Sequence, residues 1–198
     1  LAPTQRDQLR LLHDAGGHLR ELVNRLLDLT KIEAGQLDLD ARPVTLRPLF
    51  EACVGLMAPD VDRKRLRLSL DISPAMPEVV EADAMRLRQM LLNLLSNAVT
   101  HAFEGRSERR IRIEAEALAS GRVGIRVANN GCGIAEDLLP RIFDPFVTTR
   151  MGRGGTGLGL HIAHNLVVQV LGGSISVASQ PGEGCCFTIE LPRKAPVA

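Results

Sequence analysis

At 198 residues, with 45% apolar and 24% charged side chains, the chain can build a real core, either as one large domain or as one domain with an appended helical piece. A net charge of +1 and the lack of Trp and Tyr give no basis for binding nucleic acid or an anionic membrane surface. No apolar run reaches the roughly 18 residues of a membrane span, and the opening LAPTQRDQLR is not the basic-then-apolar pattern of a secretory signal.

Residues 5–34 read as one long helix. Leu9, Leu12, Leu19, Leu22, Val23, Leu26 and Leu29 recur at three- and four-residue steps between charged positions. Such spacing suits a two-helix hairpin or a bundle seam, or an amphipathic helix lying on its own domain. Gly16 and Gly17 weaken its first half, and Gly35 is placed to stop it. Residues 36–46 look extended, and Pro43 and Pro48 bracket a change of structure, so the expected division is 1–40 and 41–198. A helix over 47–58 and a strand over 65–72 follow. Asp83 is placed as N-cap of a helix over 84–100, whose apolar face holds Leu87, Met90, Leu91, Leu94, Leu95 and Ala98. Strands are expected at 109–118 and 122–129, a helix from Thr156 to Leu171, and two closing strands around the turn 180–184. This order, without regular strand–helix–strand alternation, predicts an α+β protein. The architecture is a two-layer α/β sandwich whose sheet is mixed and mostly antiparallel, preceded by a long helix. The four cysteines, Cys53, Cys132, Cys185 and Cys186, form no disulfide framework, which fits a reducing, cytoplasmic setting.

Three stretches carry polar groups that a bare core does not need. Asn93 and Asn97 are four apart on the leucine-rich helix, and Thr100 and His101 extend the same stripe. Two such amides are often ordinary core or surface residues. The stretch MGRGGTGLGLHIAHN (151–165) leaves backbone N–H groups unshielded ahead of a helix, with Arg150 and Arg153 beside it, which suits phosphate. A glycine-rich loop is also often only a linker, and no GxxxxGK[ST] loop or Rossmann turn is present. In VANNGCGI (127–134), Gly131 and Gly133 invite a close approach to the backbone, and Asn129 at the strand end offers a hydrogen-bonding head.

Together, in this order, the stretches resemble the ATP-binding catalytic domain of sensor histidine kinases, within the wider family that also holds Hsp90, MutL and gyrase B. LRQMLLNLLSNAVTHA (87–102) is similar to that family's N box, VANNGCGI to its G1 box, IFDPFVTT (142–149) to its F box and GGTGLGL (154–160) to its G2 box. The leucine-rich helix ending in LLDLTKIEAGQL is similar to the second helix of the dimerisation hairpin, and the resemblance covers almost the whole chain. It implies the Bergerat ATP-binding fold, with ATP and Mg²⁺ as cofactors. It implies that Asn97 ligates Mg²⁺ and that Asn93 lines the phosphate channel. Asn129, Gly131, Gly133 and Ile134 would meet the base, with Thr100, His101 and Phe146 around the site. Arg150, Arg153, Gly155, Thr156, Gly157, Leu158, Gly159 and Leu160 would form the lid, with Phe143 and Phe146 anchoring it by burial.

The chain departs from the family pattern at three places: Asn129 stands where aspartate is usual, Thr100 where Lys or Arg is frequent, and Cys185 where Thr or Ser is common. A neutral amide gives up the charge-assisted part of a bond to the adenine amino group, roughly 1–1.5 kcal/mol or tenfold in affinity. The NH₂ of Asn129 further suggests tolerance of guanine. The resemblance implies a histidine kinase of two-component signalling, working as a homodimer and relaying phosphate to a response-regulator aspartate. The intact protein would be cytoplasmic or anchored in the inner membrane. The acceptor segment, like His-Glu-Leu-Arg-Thr-Pro, does not occur; His13 and His18 lie on the apparent second helix, and His161 and His164 read as structural or solvent-facing. The expectation is therefore a second hairpin helix plus catalytic domain that binds nucleotide without phosphorylating itself. The alternative is a degenerate domain acting as a nucleotide-binding or scaffold module.

Overall fold

Residues 39–149 and 155–196, with positions 16, 23, 27 and 30, are described by the computed structural model. The chain divides into two units, Leu1–Leu37 and Asp38–Ala198. In the first, the four described residues are helical, and Thr30 Oγ1 donates to the Leu27 carbonyl one turn back at 2.9 Å. The remainder of the helix expected over 5–34, and its stop at Gly35, lie outside the described residues.

The second unit is built on a five-stranded sheet with strands β2 (Arg67–Ile72), β4 (Arg110–Ala117), β5 (Val123–Asn129), β6 (Ser174–Gln180) and β7 (Gly184–Leu191). Their order is β2-β4-β5-β7-β6, parallel between β2 and β4 and antiparallel elsewhere. A smaller antiparallel pair joins β1 (Arg42–Thr45) to β3 (Val79–Ala82). The chain returns beside β3 near its end, where Glu81 N–H donates to the Arg193 carbonyl at 2.9 Å and Ala195 N–H to the Glu81 carbonyl at 2.7 Å.

The two-residue period of each strand sorts the sheet into a dry and a wet face. Ile111, Ile113 and Ala115 of β4, Val123, Ile125 and Val127 of β5, and Phe187, Ile189 and Leu191 of β7 point inward and are buried. On the wet face Arg112 pairs with Asp71 at 2.9 Å and Glu114 at 3.1 Å, and Arg126 pairs with Glu114 at 2.9 Å. These are exposed pairs, individually worth about 0–1 kcal/mol, so they fix register more than they stabilise.

The dry face is covered by α1 (Leu46–Arg63), α2 (Ala84–His101) and α3 (Gly159–Asn165). Phe50 and Cys53 of α1, Leu87, Met90, Leu91, Leu94 and Leu95 of α2, and Ile162 and Ala163 of α3 are at most 2% exposed, so the core runs the length of all three helices. Asp83 caps α2 as its position promised, accepting from Met85 N–H at 2.9 Å and Arg86 N–H at 3.1 Å. α1 continues past Pro59, where the sequence suggested an end at 58. Pro59 is exposed, and the residue one turn back is Gly55, with open space about it.

The last helix starts three residues later than expected. Gly157 adopts φ 67°, in the left-handed region, and a Cβ there would strike the Phe146 backbone, so the helix opens only at Gly159. It then widens into a π turn over Leu166–Val170 and ends before Gly172, at φ 67°. An apolar cavity of about 20 Å³, lined by Leu46, Phe50, Val80, Leu91, Ile125 and Leu191, lies between α1 and the sheets. It is a packing gap with room for no more than a water molecule.

Candidate functional site

The site is assembled where α2 ends, β5 ends and α3 begins. On α2, Asn93 and Asn97 are half-buried one turn apart, between the buried pairs Met90–Leu91, Leu94–Leu95 and Ala98–Val99. Asn93 Nδ2 is shielded from solvent and has no hydrogen-bond partner among the described residues. A buried donor left in this way costs about 1–3 kcal/mol, so this amide suits an acceptor brought in from outside the chain. Thr100 and His101 close the helix, both half-buried, and Thr149 Oγ1 lies 3.4 Å from His101 Nδ1.

Asn129 is the last member of the inward row Val123, Ile125, Val127, and the polar one. It is 9% exposed and sits directly across from Cys185 in the β5–β7 register. Its Oδ1 accepts from Gly131 N–H at 3.0 Å, and its Nδ2 donates to Cys185 Sγ at 2.9 Å. Exchanging amide oxygen and nitrogen would set an NH₂ against the Gly131 N–H, so the orientation is chemically fixed. Burial pushes the Cys185 thiol up to about 11; the Asn129 hydrogen bond pulls it down, and Cys186 and Cys132 raise it further. Cys185 is therefore a neutral thiol, able to accept through sulfur or donate through S–H.

The turn after β5 is filled by protein on both sides. A Cβ on Gly131 would fall against the Ala102 carbonyl, and one on Gly133, at φ 74°, against the Gln180 carbonyl. Cys132 N–H donates to Ala102 at 2.7 Å, Gly182 N–H to Cys132 at 2.8 Å, and Ile134 N–H to Ser179 Oγ at 2.9 Å. Arg106 Nη2 donates to the Gly131 carbonyl at 2.8 Å and also to the Gly182 carbonyl. On the side where each Cβ would stand, the close approach announced by the two glycines is made by the end of α2 and by the β6–β7 turn. Arg106 and Ser179 were not singled out from sequence. The contacts by which they hold the turn reach across 25 to 76 residues, and no local pattern marks them.

The stretches before and after the glycine cluster meet at their bases. Phe146 N–H donates to the Gly157 carbonyl at 3.0 Å, and Leu158 N–H to Thr156 Oγ1 at 3.3 Å. Leu158 and Leu160 are 3% and 8% exposed and belong to the core; Gly155, Thr156, Gly157 and Gly159 are half-exposed. Phe143 is half-buried, but Phe146 is 56% exposed at φ 66°, so its ring does not anchor this segment by burial. Arg150 and Arg153 lie outside the described residues.

A family model described as histidine kinase-, DNA gyrase B-, and HSP90-like ATPase matches residues 82–195. The chain is 39% identical over 196 residues to the sensor protein TorS of Escherichia coli K12, covering 98% of this chain and 21% of that protein. It is 36% identical over 199 residues to the circadian input-output histidine kinase CikA of Synechococcus elongatus, covering 98% and 26%. Among solved structures, full-length ShkA in complex with AMPPNP matches with a TM-score of 0.86 and 34% identity, over 100% of this chain and 41% of that one. Histidine kinase ThkA in complex with the response regulator TrrA matches with a TM-score of 0.73 and 25% identity, over 98% and 52%. The chain thus spans about a fifth to a quarter of the length of the first two relatives. The matched segment contains the α2 amides, the turn after β5 and the start of α3, and by that match the chain belongs to the histidine kinase-, DNA gyrase B-, and HSP90-like ATPase family.

Proposed function

We propose that this chain is the ATP-binding catalytic part of a two-component sensor histidine kinase. It passes the γ-phosphate of ATP to a histidine on a dimerisation helix, for relay to a receiver-domain aspartate. The observation that carries the reading is the shielded, partnerless Asn93 Nδ2 one turn from Asn97. A phosphate oxygen is the acceptor that Asn93 lacks. Asn97 Oδ1 would hold Mg²⁺, a hard cation suited to an amide oxygen; when bound, the ion screens triphosphate charge. Asn129 Oδ1 keeps a second lone pair for an exocyclic amine, which favours adenine. Its NH₂ gives one hydrogen to Cys185 and keeps a second, which is the basis for tolerance of a guanine carbonyl. Thr100 and His101 border the phosphates, Gly131, Gly133 and Ile134 frame the base, and Phe146 stands beside the lid. Arg150, Arg153 and the stretch Gly155, Thr156, Gly157, Leu158, Gly159 and Leu160 form that lid.

Catalysis of this kind is positioning and charge neutralisation, with little covalent work for the protein. The nucleophile is the acceptor histidine, so the partners are ATP, the kinase's own dimerisation helix within a homodimer, and a receiver domain. The ThkA–TrrA complex supports that last partner by analogy. Among the described residues no helix is long and apolar enough to cross a membrane. The kinase reading goes with a cytoplasmic location for this part, in a protein that is itself cytoplasmic or anchored in the inner membrane.

Calorimetric titration of ATP with and without Mg²⁺ tests the reading. Mg²⁺-dependent uptake that Asn97→Ala abolishes is expected. Uptake indifferent to Mg²⁺ and to Asn97 would overturn the metal assignment. No uptake at all would favour the scaffold reading, which the neutral Asn129 also allows.

A further inference from the structure

Helix α3 carries two histidines and a buried asparagine that ATP binding leaves without a role. His161 Nδ1 lies 2.7 Å from the Phe143 carbonyl oxygen, and Asn165 Nδ2 lies 3.1 Å from His161 Nε2. A carbonyl only accepts, so His161 Nδ1 carries the proton. The Asn165 NH₂ then donates to the Nε2 lone pair. Asn165 Oδ1 in turn lies 3.3 Å from His164 Nδ1, which donates to it. Asn165 is 5% exposed, and this arrangement satisfies both ends of its amide. The His164 ring also packs on Phe143, with centroids 5.0 Å apart, and Phe143 meets the buried Phe187 edge-on at 6.3 Å. Helix α3 therefore grips Phe143 twice, by carbonyl and by ring. Just inside that grip, Phe146 N–H bonds the Gly157 carbonyl at 3.0 Å.

The geometry points to His161 as a positioning residue for the nucleotide site: oriented by Asn165 and His164, its imidazole clips the Phe143 segment to α3, the helix that opens at Gly159. This rests on the ATP-site reading above. Held in this way, the Phe143 segment and the start of α3 keep one spacing before the ligand arrives, and such preorganisation holds nucleotide more tightly. Released from His161, the Phe143 carbonyl loses its partner and the stem can move away from α3.

The test compares His161→Asn, His161→Gln and His161→Leu in the 198-residue chain. An Asn amide nitrogen branches from Cγ as Nδ1 does and can still donate to Phe143. A Gln amide sits one atom further out, toward the Nε2 position. His161→Leu and His161→Gln are expected to weaken Mg²⁺-ATP binding roughly tenfold, about 1.4 kcal/mol, while His161→Asn stays near the native value. Without nucleotide, the same two variants should be cut faster by trypsin after Arg141, two residues before Phe143. Nitrogen-15 NMR of the native chain should show the Nδ1–H tautomer at His161. An Nε2–H tautomer, a Leu variant as tight and protease-resistant as native, or an Asn variant as damaged as Leu would each overturn the proposal. If the native chain takes up no Mg²⁺-ATP, the ATP reading falls, and the tautomer and proteolysis results still decide the clip.

Discussion

Asn129→Asp tests the proposed placement of Asn129 against the base of ATP. The replacement keeps the Oδ1 that accepts from Gly131 N–H at 3.0 Å and puts a second oxygen where Nδ2 now donates to Cys185 at 2.9 Å. Because burial keeps the Cys185 thiol protonated, with its pKa pushed up to about 11, the S–H can turn and donate to the new oxygen. The pair reverses direction without breaking. The cost is desolvation of a carboxylate at a position only 9% exposed, offset in part by two donors. The gain appears on binding: a charged acceptor makes a hydrogen bond about 1–1.5 kcal/mol stronger than a neutral one, or roughly tenfold. Titration of ATP and GTP into both proteins should show ATP tightening about tenfold and GTP unchanged or weaker, since a carboxylate repels the guanine carbonyl. A parallel urea denaturation checks that the variant is folded. Unchanged ATP affinity in a folded variant, or GTP gaining as much as ATP, would refute the placement of Asn129 against the base.

Asp83→Ala should cost about 2 kcal/mol in urea denaturation, because a cap taking Met85 and Arg86 N–H and also Asp40 N–H at 3.3 Å is removed, and Asp83→Asn should restore most of the loss. The raised Cys185 pKa predicts alkaline sensitivity: the unfolded thiol ionises near 9.0 and the folded one near 11, so stability is complete below the first value and falls as pH climbs through the second. Two units correspond to a loss on the order of 2–3 kcal/mol at full ionisation, with Cys53, raised by burial against the pull of Arg88, adding in the same direction. Urea midpoints taken between about pH 8 and pH 10.5 should fall more steeply for the native chain than for Cys185→Ala.

What could be read in advance was whatever depends on near neighbours along the chain. Asp83 caps residues two and three positions on, so its role was visible from spacing alone. The alternation of β4 and β5 marked them as strands, and Asn129 stood out as a polar group at a strand end. The strand β3 went unnoticed because four residues, VVEA, carry too short a period, and its partners β1 and the Arg193–Ala195 segment come from opposite ends of the domain. The start of α3 was misplaced because the left-handed Gly157 answers to the Phe146 backbone, eleven positions earlier. His161 and Asn165 stand one helical turn apart, but the carbonyl that His161 holds lies 18 residues away and left no sign in the sequence.

The glycines of VANNGCGI show why a motif can be recognised before its physical reason is known. Their spacing announced that something comes close to the backbone, and a ligand was the natural candidate. On the Cβ side the approach is protein on protein, with Ala102 packed on Gly131 and Gln180 on Gly133. Gly184, at φ 100°, completes the junction against the Asn129 carbonyl. Ala102 is the residue after α2, so the helix bearing Asn93 and Asn97 is joined by backbone to the turn bearing Asn129, and Arg106 fastens that turn to the one between β6 and β7. The spacing between Asn129 and the Asn93–Asn97 pair is therefore set by main-chain contacts that admit no side chain. Side chains around the site, Asn129 and Cys185 among them, can vary in hydrogen-bonding character while the frame that spaces them holds still.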